Sequence, residues 1–166
     1  MRLQINGGTE THQRHCRQFA RFFCNRFFTK DLNKQIRVKL NLVKKPSLGY
    51  NEECAHVQWM DNNRYPRRFV INIFTPPKNV KLRYIISTLA HEMVHIKQFV
   101  KNELIDLPST NYNVSVFKNK KYNLNRVSYY DQPWEIEAFG RERGLTKEYL
   151  EKVNLAKKLF GSPVDF

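Results

Sequence analysis

The chain has 166 residues, a length that fits one domain with one ordinary core. Hydrophobic residues make up 41% of it, which excludes a disordered chain, and no run approaches the ~18 apolar residues of a membrane span. Twenty-nine Lys and Arg against 15 Asp and Glu leave a net charge of +14, which points to an acidic partner such as nucleic acid or else to a basic solvated surface.

The N-terminal stretch MRLQINGGTETHQRH is polar and lacks the apolar segment of a signal peptide, so a cytoplasmic location is expected. Cys16, Cys24 and Cys54 form no C-x-x-C pair. They read as reduced thiols rather than as a disulfide framework or a cysteine zinc site.

From about residue 11 to 32, Cys16, Phe19, Ala20, Phe23, Phe27 and Phe28 follow the 3/4 spacing of an amphipathic helix, with Thr9 or Thr11 as its cap. The period then becomes two. In IRVKLNLVK, Ile36, Val38, Leu40 and Leu42 share one face, and Pro46-Ser47-Leu48-Gly49 breaks this strand. CAHVQWM alternates again, DNNRYP turns, and RFVINIF makes a third strand that Pro76-Pro77 ends. Three closely spaced strands predict an antiparallel meander, with parallel pairing at one edge as the alternative.

A second helix spans about residues 81 to 101. The connection from 104 to 132 is long for a structureless loop, and NVSVFKNKKYN within it predicts a small hairpin turning at Asn119-Lys120. Pro133 starts a helix that Gly144 closes as a C′ residue. Thr146 caps a final helix to about Phe160, ended by Gly161 and Pro163. The sum is one α+β domain over residues 1–166, with helices on one face of a small sheet of three to four mostly antiparallel strands.

Chemistry concentrates in TLAHEMVHIKQ, Thr88 to Gln98. Thr88, His91, His95 and Gln98 form a stripe beside the apolar face of the second helix, and His91 and His95 stand one turn apart. Both imidazoles can therefore reach one ion. Glu92 lies ~100° around the helix, on the flank of the pair, where it can face a water on that ion. This is the geometry of H-E-x-x-H: two zinc ligands and a general base. His12, His15 and His56 all lie upstream, so a carboxylate is expected as third ligand. Trp134-Glu135-Ile136-Glu137-Ala138 offers two, ~200° apart on a helix, of which only one can face the metal. Glu137 has Arg141 at i+4, the pattern of an ordinary surface pair. A rival cluster, His12, His15 and Cys16, is flanked by Arg14 and Arg17, which oppose a cation.

With these residues the chain resembles the gluzincin metallopeptidases, whose second zinc helix carries a ligand Glu followed three positions on by a small residue. Glu135 with Ala138 fits that spacing, while Phe139 stands where Asp or Asn is common. HEMVHIKQF and YYDQPWEIEAFG together also resemble small metallopeptidases of bacteriophages and, more loosely, the SprT-like and ImmA/IrrE-type minimal zincins. The resemblance covers about Leu82 to Arg143. It implies a minimal zincin fold, Zn²⁺ on His91, His95 and Glu135, and Glu92 as general base in peptide-bond hydrolysis of a peptide or protein substrate. It implies substrate added as a strand at a sheet edge, here RFVINIF, and a tyrosine, Tyr130 or Tyr129, assisting the oxyanion. For a phage protein the location becomes the host cytoplasm or the virion. The alternative function is a basic nucleic-acid-binding or phage accessory protein with a structural or vestigial zinc site. Its basis is the charge and the aromatics among the bases: Phe22, Phe23, Tyr112, Phe117 and Tyr122.

Overall fold

The computed structural model describes residues 1–45, 54–61, 65–76, 78–107 and 113–160, with 155–160 as backbone only. The expected breaks at Pro46-Ser47-Leu48-Gly49, Asn62-Asn63-Arg64, Pro77 and Gly161 with Pro163 lie outside these residues, as does Tyr112. Among the described residues, no helix is long and apolar enough to cross a membrane.

The chain starts with a strand that its pattern did not announce, β1 (Arg2–Gly7). Only Ile5 of β1 is fully inside the core, too little alternation to read as a strand. Helix α1 (Glu10–Phe27) follows, capped by Thr9, whose side chain accepts from His12 N at 3.2 Å. The single expected helix is in fact two. Phe28 takes an extended backbone while its ring stays in the core, and Thr29 caps a short α2 (Lys30–Gln35). The cap lies inside an apolar run whose period continues across the break, which hides it.

Strands β2 (Arg37–Lys44), β3 (Ala55–Trp59) and β4 (Arg68–Thr75) form where the alternation places them. Their pairing corrects the antiparallel meander. The sheet order is β1-β2-β4-β3, with β1, β2 and β4 parallel and only β3 antiparallel, at one edge. Two causes act. The α1–α2 segment is a crossover long enough to bring β2 back parallel to β1. β4 has the fullest apolar face, with Phe69, Ile71 and Ile73 each at most 2% exposed, so it takes an interior place, and the half-buried β3 goes outside. RFVINIF is therefore not an edge. The edge strands are β1 and β3, and β3 is the one beside β4.

Helix α3 (Leu82–Val100) is buried on every side from Leu89 onward. It lies against β3 and β4, α1, and the last helix. A second sheet of β5 (Leu104–Leu107), β6 (Val114–Phe117) and β7 (Lys120–Asn123) is fully antiparallel. Its hairpin turns at Lys118-Asn119, one residue before the expected place, where both residues have positive φ as a tight two-residue turn requires. Trp134 meets Phe117 and Tyr122 edge-on, with ring centres 6.1 and 5.9 Å away, and so ties this sheet to the last helix.

That helix, α4 (Pro133–Phe160), is one continuous element of 28 residues, which corrects the two helices expected. Gly144 lies within it, exposed, with nothing within 4 Å of where a Cβ would stand. Thr146 is not a cap but a buried mid-helix residue. Leu145 and Tyr149 bury against the core and carry the helix through the glycine, because tertiary burial outweighs a helix penalty of about 1 kcal/mol. Gly144→Ala is therefore expected to raise the thermal midpoint by roughly 2–4 °C. A lowered midpoint in a melting experiment would mean that Gly144 ends the helix.

Candidate metal centre

The close packing of α3 on α4 builds the site. Ala138 is fully buried one turn after Glu135, so no bulky side chain holds the helices apart there. His91 and His95 project toward α4 with their rings 4.8 Å apart and their Nε2 atoms 3.1 Å apart. Glu135, in the first turn of α4, bridges them. Its Oε2 lies 3.2 Å from His91 Nε2 and its Oε1 lies 3.4 Å from His95 Nε2. All three residues are buried, and they are the one group among the described residues that could hold a metal ion.

The far ring nitrogens say which atoms face inward. His95 Nδ1 lies 2.9 Å from Gln98 Oε1, and His91 Nδ1 lies 3.1 Å from Glu142 Oε2. Both partners are acceptors, so each Nδ1 is assigned as the N–H. That leaves both Nε2 lone pairs aimed at each other and at a carboxylate. Three acceptor atoms converging in a buried place repel one another unless a cation lies between them, either a metal ion or a proton. The partners are themselves anchored. Gln98 Nε2 donates to Trp134 O at 3.0 Å, and Ser87 Oγ donates to Glu142 Oε1 at 3.0 Å.

The titration behaviour carries the same message. Burial pulls the His91 pKa down, but Glu135, Glu142 and the charge of Glu92 outweigh it and raise it to about 9. Burial pushes Glu135 up, yet hydrogen bonds from His91, His95 and Tyr129 bring it down to about 2. Without a metal, a proton on His91 is the cation that these carboxylates gather.

Glu92 is 5% exposed and lines an open cleft of about 240 Å³ together with both histidines and Glu135. Trp59, Phe99 and Trp134 supply apolar lining, and β3 contributes Ala55, His56 and Val57. Across the cleft, Asp106 accepts from Ser115 Oγ at 2.6 Å. Glu137 turns to the other flank of α4. It accepts from Lys97 Nζ at 2.7 Å and Arg141 Nε at 2.8 Å, so it is neutralised away from the cluster. The expected Arg141 pair is present, and the buried Lys97 is an addition that the sequence pattern did not announce. Tyr130 is 73% exposed, with its ring against Tyr129 and Phe139. It is Tyr129 that reaches the cluster, donating to Glu135 Oε2 at 2.7 Å. Phe139 packs edge-on against His91, with ring centres 4.6 Å apart.

The rival cluster has structural work instead. His12 sits at the α1 cap, and buried His15 meets the Tyr149 hydroxyl at 2.9 Å. Sequence reasoning missed Glu142, although it repeats the face of Glu135 at seven residues, two turns on. Gln98 stood in the stripe with both histidines, with no role attached. Comparison with known protein families, curated proteins and solved structures finds no match for the chain.

Two outcomes follow from this geometry. In metal-free protein, the His91 contribution to stability is full below its unfolded value of 6.5 and is lost as pH rises through about 9. That of Glu135 is full above 4.5 and is lost as pH falls through about 2. A metal must displace the His91 proton, so below about pH 9 its apparent affinity rises with pH, roughly tenfold per unit, with one proton released. Calorimetry in buffers of different ionisation enthalpy measures this release, and an affinity independent of pH between about 6.5 and 8 contradicts the arrangement. Separately, Glu135→Ala is expected to abolish stoichiometric metal binding. Glu137→Ala should keep it while lowering stability by roughly 1–3 kcal/mol through the loss of a Lys97 partner. Metal analysis beside denaturant unfolding separates the two, and the reverse pattern would exchange their roles.

Proposed function

We propose that the chain is a zinc-dependent metallopeptidase of the minimal zincin kind. The observation that carries this reading is the convergence of His91, His95 and Glu135, with both Nδ1 atoms tied back and Glu92 beside them in a cleft. Zinc fits the donor set. Ligands at about 2.0–2.1 Å in a tetrahedron stand about 3.3 Å from one another. The separations here are 3.1, 3.2 and 3.4 Å. Three protein ligands also leave a fourth place open, as catalytic sites do and closed structural sites do not.

A zinc ion held there supplies Lewis acidity, acidifying water and polarising a carbonyl. The chain's own groups do the rest. Glu142 and Gln98 hold the two imidazoles in the ligating tautomer. Glu92 takes the proton of the attacking water and returns it to the leaving amine. The β3 edge, free in the order β1-β2-β4-β3, offers backbone groups to an extended peptide. Trp59, Phe99 and Trp134 offer apolar surface to its side chains in the cleft. Of the two tyrosines, Tyr129 is the better placed to donate to charge developing on the carbonyl oxygen.

In the test, Glu92→Gln keeps one zinc per chain and loses hydrolysis of a denatured protein or peptide library by at least ~10²-fold. Undiminished hydrolysis by Glu92→Gln removes Glu92 from the chemistry. Zinc-loaded wild type that stabilises the fold but cuts nothing makes the metal structural.

A further inference from the structure

The mixed sheet has two faces, and among the described residues only one is covered by helices. Ile5, Val38, Leu40, Leu42, Phe69, Ile71 and Ile73 belong to the core with the helices. The opposite face carries the alternate residues, and the register sorts them into rows. Arg2, Arg37 and Arg68 stand side by side across β1, β2 and β4. Two residues up the strands come Gln4, Lys39, Val70 and Gln58. Two further on come Asn6, Asn41, Asn72 and His56.

The first row is a line of three guanidinium groups on strands about 4.8 Å apart. All three arginines are exposed, as is Lys39. None of the four pairs with a carboxylate among the described residues. Asp61, the nearest acid in sequence to Arg68, is committed to the backbone, accepting from Arg67 N and Arg68 N at 2.9 and 3.2 Å, and Asp31, the nearest to Arg37, pairs with Lys34. Like charges in register repel, so this row costs the fold stability, and among the described residues no carboxylate offsets it.

The third row is a hydrogen-bonded ladder. Asn6 donates to Asn41 and Asn41 to Asn72, both at 2.8 Å, and Asn72 Nδ2 donates to His56 Nε2 at 2.9 Å. Asn41 and Asn72 each accept once and donate once within the ladder, and Asn6 donates once, so each amide has a further N–H and acceptor capacity beyond it.

We infer that this open face binds single-stranded nucleic acid. The strand crosses the sheet with its phosphates along the row Arg2, Arg37, Arg68 and its bases over the Gln and Asn rows, about 7 and 13 Å up the strands. Arginine forks match phosphate oxygens, and side-chain amides offer donors and acceptors to unpaired base edges. A lipid surface would want large apolar side chains on this face. Among the described strand residues, the face carries only Val43, Val70 and Phe74 as large apolar side chains, against four cations and the Gln and Asn rows. An acidic protein would use the arginines but leave the amide rows idle. The inference does not rest on the metal centre, although His56 of the third row also lines the cleft beside it.

The test is fluorescence anisotropy of labelled single-stranded oligonucleotides against salt. Wild type is compared with the triple variant Arg2→Gln, Arg37→Gln, Arg68→Gln. The control triple variant, Lys101→Gln, Lys121→Gln, Lys147→Gln, removes the same charge from exposed positions elsewhere. The arginine variant is expected to bind about tenfold or more weakly at about 50 mM salt, with a log–log salt slope smaller by about 2, as for three lost phosphate contacts. The control should change by less than about threefold. Should the triple variant not fold, Arg37→Gln alone shows a smaller loss in the same direction. Equal losses in both triple variants, no binding by wild type, or equally tight binding of duplex DNA or anionic vesicles would each overturn the inference.

Discussion

Three acceptor atoms are forced together inside this protein, and they need a cation between them. His91 Nε2, His95 Nε2 and a Glu135 oxygen lie within a few ångströms of one another in a buried place. Left alone they would drive α3 and α4 apart. The fold does the reverse, since α3 and α4 are packed closely along the helix face that carries these groups. Gln98 and Glu142 then hold the rings so that their lone pairs cannot turn away. A structure that spends so many buried polar groups on aiming lone pairs at one point is organised around what occupies that point.

The same two helices hold a second buried charge system, and the two are kept apart. Glu135 and Glu137 are two residues apart and leave α4 on different flanks. Glu135 depends on the cation at the cluster. Glu137 meets Lys97, itself buried, with Glu103 completing the ion pairs around that lysine. Gln98 touches both systems, accepting from His95 and donating toward Trp134 O and Glu137 Oε2. The core is therefore rich in acidic groups while the surface is strongly basic. The charge of +14 lies largely outside, and part of it is drawn up in a row on the open face of the sheet.

Much of the site was legible because it is local. His91, Glu92 and His95 share one helix, and a helix fixes the angles between their side chains. Glu135 could be chosen over Glu137 by the small residue three positions on, and the structure brings Glu135 to the histidines. Properties that depend on distant pairing were not legible. Strand order follows from which apolar face is fullest, so β4 moved inside and β3 became the edge. The positions of the two tyrosines depend on the turn at Tyr129–Asp131 (a single 3₁₀ turn), and adjacent residues there point to different places. Gly144 carries a local stop signal that burial of Leu145 and Tyr149 overrides. Of the aromatics expected to stack on bases, Phe23 and Phe117 are in the core. The inferred nucleic-acid binding rests instead on the register of the arginines, which only the sheet order reveals.

The central claim is that a metal ion joins His91, His95 and Glu135. X-ray absorption at the zinc edge of the purified protein reads the metal's own neighbours. The account predicts a first shell of nitrogen and oxygen at about 2.0–2.1 Å, with the outer-shell signature of two imidazoles, lost in His91→Ala. A shell containing sulfur at about 2.3 Å, a spectrum unchanged in His91→Ala, or protein that holds no zinc when zinc is supplied would contradict it.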